Sequence, residues 1–426
     1  MSVSSIAFIT LVLLLGAIYF CVPGRTARQL IFASTNAGIF LWASYIGDQP
    51  PSAWTLLVLS AFLLSGYVVA VWLRRVPSAI GIGLYVALLT GTFVFLKKYT
   101  ALELVLPSGW LNHPISIVGL SYMLFRQIHF VVDSAQGQIE APTLWTYLNY
   151  QTNFTTLLAG PIQRYQDFAR EWDRSAPMDL DARERLLVYQ RIFLGVIKVV
   201  IFATACTAIY EASYVALLRV LGDGAQGGTS RLYLARQFLA MFYAYPAFVY
   251  FNFSGYCDIV IGAAALLGMR LPENFDRPYV SRNMIDFWTR QHMTLSFWIR
   301  DYLFTPMYKF IVERRATLAQ PAAYGCYFVA FLLAGIWHGS TMNFVVFGLL
   351  HGFGVSVTKI WEASIIRRSG RKGLKKYLQV EWIRWAAIVV TLHFVCFAFI
   401  FFTPDLHDKV LVLKGVAQGI FLGGGR

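Results

Sequence analysis

The sequence predicts an all-α polytopic membrane protein, and two observations carry that reading. The chain is 57% hydrophobic and only 14% charged, whereas soluble chains average about 25% charged residues. Apolar runs of roughly 20 residues, each long enough to cross a ~30 Å hydrocarbon core, recur from one end of the sequence to the other.

Taken in order, the runs place spans at about 4–22, 28–46, 53–74, 78–96, 114–132, 186–206, 322–337, 341–360 and 382–403. The stretch 232–267 is long enough for one tilted span and part of another, and the tail at about 409–424 is a weaker candidate. The expectation is about 10–11 transmembrane helices in a single integral-membrane domain covering residues 1–426. The first run has no basic stretch before it and no small-residue cleavage site after it, so it reads as a retained span rather than a signal peptide.

The net charge of +14 is explained by loops. Lys and Arg gather where a loop stays in the cytoplasm, and here they gather at Arg25 and Arg28, at Arg74 and Arg75, and in the cluster Arg367, Arg368, Arg371, Lys372, Lys375 and Lys376. No basic stretch alternates with exposed aromatics in a soluble region, so nucleic acid is not an expected partner; the lipid bilayer is. Placing 23–28, 74–77 and 363–381 in the cytoplasm puts the N-terminus outside. Lys97 and Lys98 then fall on the opposite side unless the fourth segment turns back within the bilayer. The five cysteines are scattered, without a CxxC pair or a Cys/His metal spacing, and read as small core residues; no metal site is expected.

Two stretches interrupt the span pattern. The first begins "GPIQRYQDFAREWDR" at Gly160, with charges three to four apart beside Tyr165, Phe168 and Trp172. That spacing suits a helix lying in the interface with its apolar side down. The second, 269–312, is too polar to cross lipid alone and too aromatic to stand free in water. Polar backbone persists at membrane depth only when buried in protein or lining a cavity, so a set of short helices walling a chamber is expected there.

The chemistry is sought in the histidines. His292, Ser296 and Arg300 are spaced i, i+4, i+8 and would share one stripe of a helix. His338 lies at the end of an apolar run, directly before Gly339. Buried imidazole is costly without polar partners, and ionisable groups at membrane depth mark pathways, relays or active sites. A desolvated histidine stays neutral and able to accept a proton, which is what a hydroxyl needs in order to attack an activated acyl group. His351, 13 residues beyond His338 and ~20 Å along a continuous helix, reads as structural, bonded to another helix. Arg300 and Asp301 read as an interfacial ion pair. No GxSxG elbow, HExxH, P-loop or Rossmann glycine pattern stands in a fitting context, so a serine hydrolase, a zinc enzyme and an ATPase all lack their parts.

The passages "FNFSGYCDIVIGAAALLGMRLPENFDRPYVSRNMIDFWTRQHMTLSFWIRDYLF" (251–304) and "GIWHGSTMNFVVFGLLHG" (335–352), with "LAGPIQRYQDF" (158–168), resemble the signature regions of the membrane-bound O-acyltransferase family. The resemblance is to its bacterial branch of alginate O-acetylases and teichoic-acid D-alanyl transferases, and its core spans about 115–355. It implies helices around a central tunnel, an acyl thioester donor arriving from the cytoplasm, and an acceptor hydroxyl entering from outside. His338 carries over as the catalytic histidine and general base, and His292 as the second histidine, lining the channel. Ser296, Asn343 and Arg300 are the candidate substrate-binding residues. Relatives often carry Trp where this chain has Gln291 and Met342. The words "GYCDIVIG" and "PENF" resemble the acetylase side, whereas "HMTLSFW" and the short chain lean toward D-alanyl transfer; acetyl is favoured. The resemblance further implies a multi-pass protein of the bacterial inner membrane and no bound cofactor. Its donor would be acetyl-CoA or an acyl carrier protein, and its acceptor an extracytoplasmic polysaccharide or a periplasmic or extracellular acyltransferase partner. The rival class is a proton-coupled transporter or flippase using the same histidines as a relay. Transporters commonly carry internal repeats with matching interrupted helices, and this chain has its irregular region off-centre and unrepeated.

Overall fold

The computed structural model describes residues 6–22, 24–43, 52–99, 102–103, 105–111, 119–174, 180–222, 230–339, 341–403 and 405–419. These are overwhelmingly helical and contain no strand, only an isolated antiparallel bridge between Phe275 and Gln291. Helix is the expected solution, because lipid offers no partner to a backbone N–H or C=O and an α-helix satisfies both internally. Seven helices among the described residues are long and apolar enough to cross a membrane. The protein is a multi-pass membrane protein.

The chain divides into two compact units that alternate along the sequence: residues 1–196 with 256–273, and residues 197–255 with 274–426. The first unit holds α1 (Ile6–Cys21), α2 (Arg25–Ala43), α3 (Ala53–Arg75), α4 (Ala79–Leu96), α5 (Ser108–Leu111), α6 (Leu120–Ala135), α7 (Leu144–Gln151), α8 (Tyr165–Trp172) and nearly all of α9 (Ala182–Ile197). The second holds α10 (Thr204–Gly222), most of α11 (Arg231–Leu266), α12 (Met284–Trp288), α13 (Met293–Ile299), α14 (Thr305–Val312), α15 (Ala319–His338), α16 (Met342–Gln379), α17 (Glu381–Phe399) and α18 (Leu406–Ala417).

Some expected spans take a different form. The apolar part of α1 is short, Thr10–Tyr19. The run expected at 114–132 begins, within the described residues, at Leu120, and α6 is enclosed by protein almost all round rather than facing lipid: Arg126, Gln127, His129 and Asp133 are all buried. Burial of such polar groups requires partners. Arg126 donates to the carbonyls of Tyr150 and Gln151 at 2.9 and 2.8 Å and to the Thr156 hydroxyl, capping the last carbonyls of α7. Gln127 donates to the Phe62 carbonyl at 2.7 Å, and Tyr147 to that of Leu63 at 2.9 Å. Gly66 on α3 permits this, since a Cβ there would collide with the Tyr147 hydroxyl and the Gln127 side chain. α18 has 12 residues, about 18 Å at 1.5 Å per residue, by itself shorter than a hydrocarbon core; residues 420–424 of the expected tail segment lie outside the described residues. α4 runs unbroken through 18 residues, so the fourth segment does not turn back.

The interfacial stretch at 160–174 does form an amphipathic helix, α8, but its apolar side is not laid on lipid. Tyr165, Phe168 and Trp172 are buried in protein, and their rings meet Tyr150 and Phe32 at 5.5–5.7 Å from centroid to centroid, while Asp167 and Arg170 face outward. The polar segment 269–312 resolves into the expected short helices α12, α13 and α14, with a 3-10 turn at Pro278–Val280 and a π-turn at Arg300–Phe304.

Candidate active site

His338 is the last residue of α15, and close helix packing sets its position. α15 and α16 approach through glycine: a Cβ on Gly335 would strike the Phe344 carbonyl oxygen, and one on Gly348 the Phe331 carbonyl oxygen. Gly339, just past His338, lies against the Phe344 ring, where a Cβ would have no room. Small residues at a helix–helix seam let backbones come together in this way. The His338 ring is half-buried, edge-on to Phe402 at 4.7 Å and beside Trp337 at 4.6 Å. Its described neighbours are rings, and no described residue hydrogen-bonds its nitrogens. The imidazole can therefore take a proton.

His292 is held in another way. It is not part of a helical stripe: it precedes α13 with left-handed backbone, φ 45° and ψ 52°, a conformation that is strained for most residues and clusters at functional sites. A short antiparallel clasp enforces it. Asp276 N–H donates to the Arg290 carbonyl at 2.9 Å and Met293 N–H to that of Asn274 at 3.0 Å. Arg290 is in turn anchored to Asp286 at 2.7 Å and Asp276 at 3.3 Å.

Asn274, in the "PENF" stretch, completes the arrangement. Its Oδ1 accepts from the Thr294 N–H at 3.2 Å and the Thr294 hydroxyl at 2.9 Å, and lies 3.2 Å from His292 Nδ1. Because a backbone N–H can only donate, the Asn274 atom facing it is the oxygen, and Nδ1 of His292 must carry the proton. Nε2 is left with its lone pair. Phe253 closes one side, edge-on at 4.7 Å. Burial, and after it the charge of His338, hold the His292 imidazole well below its usual 6.5, at about 3. It is neutral at physiological pH.

The other three sequence candidates are less directly engaged. Ser296 donates its hydroxyl to the Gln291 carbonyl at 3.3 Å. Asn343 is buried and donates to the Thr403 carbonyl at 2.7 Å, tying the start of α16 to the residue after Phe402. Arg300 is exposed at the start of the π-turn, 2.7 Å from Asp301 and over the Phe297 ring. The stripe expected through His292, Ser296 and Arg300 does not form, because His292 stands before the helix and the π-turn begins at Arg300. His351 is fully buried and accepts from the Trp288 indole N–H at 3.2 Å. Asn274, Phe253 and Phe402 were not singled out by sequence reasoning; the one available signal was a lone Asn in a short loop preceding a polar segment.

The chain is matched by the model of the membrane-bound O-acyltransferase family over residues 32–401. It is similar to the teichoic acid D-alanyltransferase of Bacillus subtilis, 30% identical over 331 residues that cover 73% of this chain and 78% of that one. It is also similar to the teichoic acid D-alanyltransferase of Streptococcus thermophilus, 28% identical with 69% and 70% covered. The probable alginate O-acetylase AlgI of Pseudomonas fluorescens is 30% identical, with 58% of this chain and 46% of that one covered. With its helical multi-pass fold and the family match along most of its length, the chain belongs to the membrane-bound O-acyltransferase family and is an O-acyltransferase.

Proposed function

We propose that the protein moves a small acyl group from a cytoplasmic thioester across the membrane to a hydroxyl of an extracytoplasmic polysaccharide, or of a partner protein that hands it on, in the bacterial inner membrane. His338 acts as general base. It takes the hydroxyl proton as the oxygen attacks the thioester carbonyl; the carbon–sulfur bond breaks, and the departing thiolate recovers the proton from His338. His292 lines the channel and presents its Nε2 lone pair to a neighbouring hydroxyl of the acceptor, which orients the attacking one. The observation that carries this reading is one imidazole, His338, with no hydrogen-bond partner among the described residues, together with a second, His292, whose tautomer is fixed by Asn274.

Acetyl is the acyl group favoured by the "GYCDIVIG" and "PENF" wording. D-alanyl is the second reading, supported by the longer coverage of the relatives named for D-alanyl transfer. Asp258 of "GYCDIVIG" forms an ion pair with Arg191 at 3.0 Å, a structural role compatible with either. The deciding assay supplies radiolabelled acetyl or D-alanyl thioester, on coenzyme A or on a carrier protein, to the cytoplasmic side of sealed vesicles, and looks for hydroxylamine-sensitive label on an outside acceptor. Label crossing the membrane unattached to any hydroxyl would refute acyl transfer in favour of transport.

A further inference from the structure

An imidazole that makes no hydrogen bond is oriented by packing alone. Among the described residues His338 is surrounded by rings, and after its chain neighbour Trp337 the nearest is Phe402, at 4.7 Å with the planes 74° apart. Phe402 does not belong to a long helix. It ends a single 3-10 turn, Ile400–Phe402, that follows α17. The last carbonyls of a helix have no partner within it, and hydrogen-bond geometry in 3-10 turns is poorer than in α-helix. Such a turn keeps a fixed shape only when something outside fastens it.

Two side chains fasten this one. The Tyr245 hydroxyl of α11 donates to the carbonyl of Phe402 itself at 3.2 Å, and the Asn343 amide of α16 donates to the next carbonyl, that of Thr403, at 2.7 Å. Tyr245 is itself held from two directions. Its ring packs on that of Tyr210 at 4.9 Å, and the Tyr210 hydroxyl accepts from the buried Lys409 ammonium at 3.0 Å. The backbone beside it is pinned where the Tyr279 hydroxyl donates to the Pro246 carbonyl at 2.6 Å. The turn before Phe402, by contrast, borders a cavity with about 230 Å³ of empty space, lined by Phe399, Ile400 and Tyr245. Atoms that line a void lack contacts on that side, so the turn has room to shift once its tether is cut.

We propose that Tyr245 is a positioning residue for acyl transfer: by holding the Phe402 carbonyl it sets the ring against which His338 is oriented. The inference rests on the reading of His338 as the general base, and Tyr245 acts through Phe402 rather than on the substrate. The full chain is assayed in sealed vesicles with labelled acetyl or D-alanyl thioester, whichever is transferred, as Tyr245→Phe, Phe402→Leu and the double variant. Tyr245→Phe removes one oxygen and keeps the ring. Its kcat per folded molecule should fall about tenfold, the worth of one hydrogen bond. Its KM for the thioester should stay native, because the lost interaction orients the base and does not bind substrate. In the Phe402→Leu background the same substitution should change kcat by less than about twofold, since residues acting through one contact are not additive. A tyrosine with a merely structural role would lower the midpoint of thermal unfolding and leave kcat per folded molecule untouched. Native kcat in Tyr245→Phe, a raised KM with kcat intact, or the same tenfold loss with and without Phe402 would overturn the proposal. His338→Ala, measured alongside, separates the two claims. If it is inactive, those outcomes strike Tyr245 alone; if it transfers at native rate, the base assignment falls and this inference with it.

Discussion

Replacing Asn274 with alanine tests whether the tautomer of His292 matters. The substitution removes the shared acceptor of the Thr294 N–H, the Thr294 hydroxyl and His292 Nδ1–H. The hydroxyl can rotate to a new partner; the backbone N–H and the imidazole N–H cannot. Each buried donor left unmade costs about 1–3 kcal/mol. The imidazole can evade its share by moving its proton to Nε2, which sacrifices the lone pair offered to the neighbouring hydroxyl of the acceptor. Restoring the working tautomer then costs that same 1–3 kcal/mol, so kcat should fall by roughly 5- to 150-fold. The assay is the initial rate of acyl transfer in proteoliposomes, normalised to the folded fraction in each preparation. Asn274→Asp supplies the readout that a purely structural role would not move. Its carboxylate accepts from the same donors and restores the tautomer, but the added negative charge favours the imidazolium and raises the pKa of His292. The neutral, working form is then lost as pH falls through the raised value and recovered above it, giving an acid limb in the rate profile. The native protein, with His292 held near 3, has no such limb from this residue around neutrality. Wild-type rate in Asn274→Ala, or an unshifted pH profile in Asn274→Asp, would refute the reasoning.

Four further outcomes are expected. His338→Ala should lower acyl transfer by about 10²- to 10⁴-fold while leaving a monodisperse, folded protein, since the half-buried ring contributes a proton acceptor more than packing volume; transfer at near-native rate would remove it as the base. His292→Ala should slow product formation severely yet leave binding of the thioester donor intact, as measured by filter retention of labelled donor. Gly335→Ala drives a methyl group into the Phe344 carbonyl and should destabilise the α15–α16 pair by about 1–3 kcal/mol, read as a lowered midpoint of thermal unfolding in detergent. For orientation, single cysteines are introduced at the exposed positions Asp167 and Lys375 after removal of the exposed Cys21. Both should resist a membrane-impermeant thiol reagent on intact cells and react after lysis, and labelling of either from outside would reverse the proposed topology.

The fold class was legible because hydrophobic runs and lipid leave the backbone little choice; where the reading fell short, tertiary burial outweighed local pattern. α6 looked like a lipid-facing span, yet Arg126 and Gln127 donate to carbonyls of segments far away in sequence, and no window of 20 residues contains that fact. α8 was read as amphipathic and is, but periodicity states only that one side is apolar, not whether protein or lipid covers it. The two histidines were legible for a local reason, as each interrupts its pattern. Asn274 was not: its role depends on a clasp between residues 18 apart and on a left-handed His292, and the i, i+4, i+8 spacing presumed a helix that begins one residue too late. Ser296, Asn343 and Arg300 satisfied the same spacing logic or lay near the motif, but the structure commits the Ser296 hydroxyl and the Asn343 amide to backbone carbonyls and Arg300 to its neighbouring acid.

The two imidazoles do different work in the proposed reaction because their supports differ. In the proposed reaction His338 gains the hydroxyl proton as the oxygen–carbon bond forms, and at that moment its positive charge acts against protonation of His292, which burial already disfavours. The Nε2 lone pair of His292 therefore persists through the step in which it is needed to hold the acceptor. A base with free nitrogens and an orienting group with one nitrogen already bound are not interchangeable. His292 has its Nδ1 committed to Asn274 and its backbone locked by the clasp, whereas His338 is fixed through glycine packing and its ring has no hydrogen-bond partner among the described residues. Exchanging those supports, rather than the histidines themselves, would be the more disruptive change: giving His338 a buried carboxylate neighbour, for example by Phe402→Asp, should hold it as the imidazolium, abolish proton acceptance at neutral pH, and restore transfer only as the pH is raised.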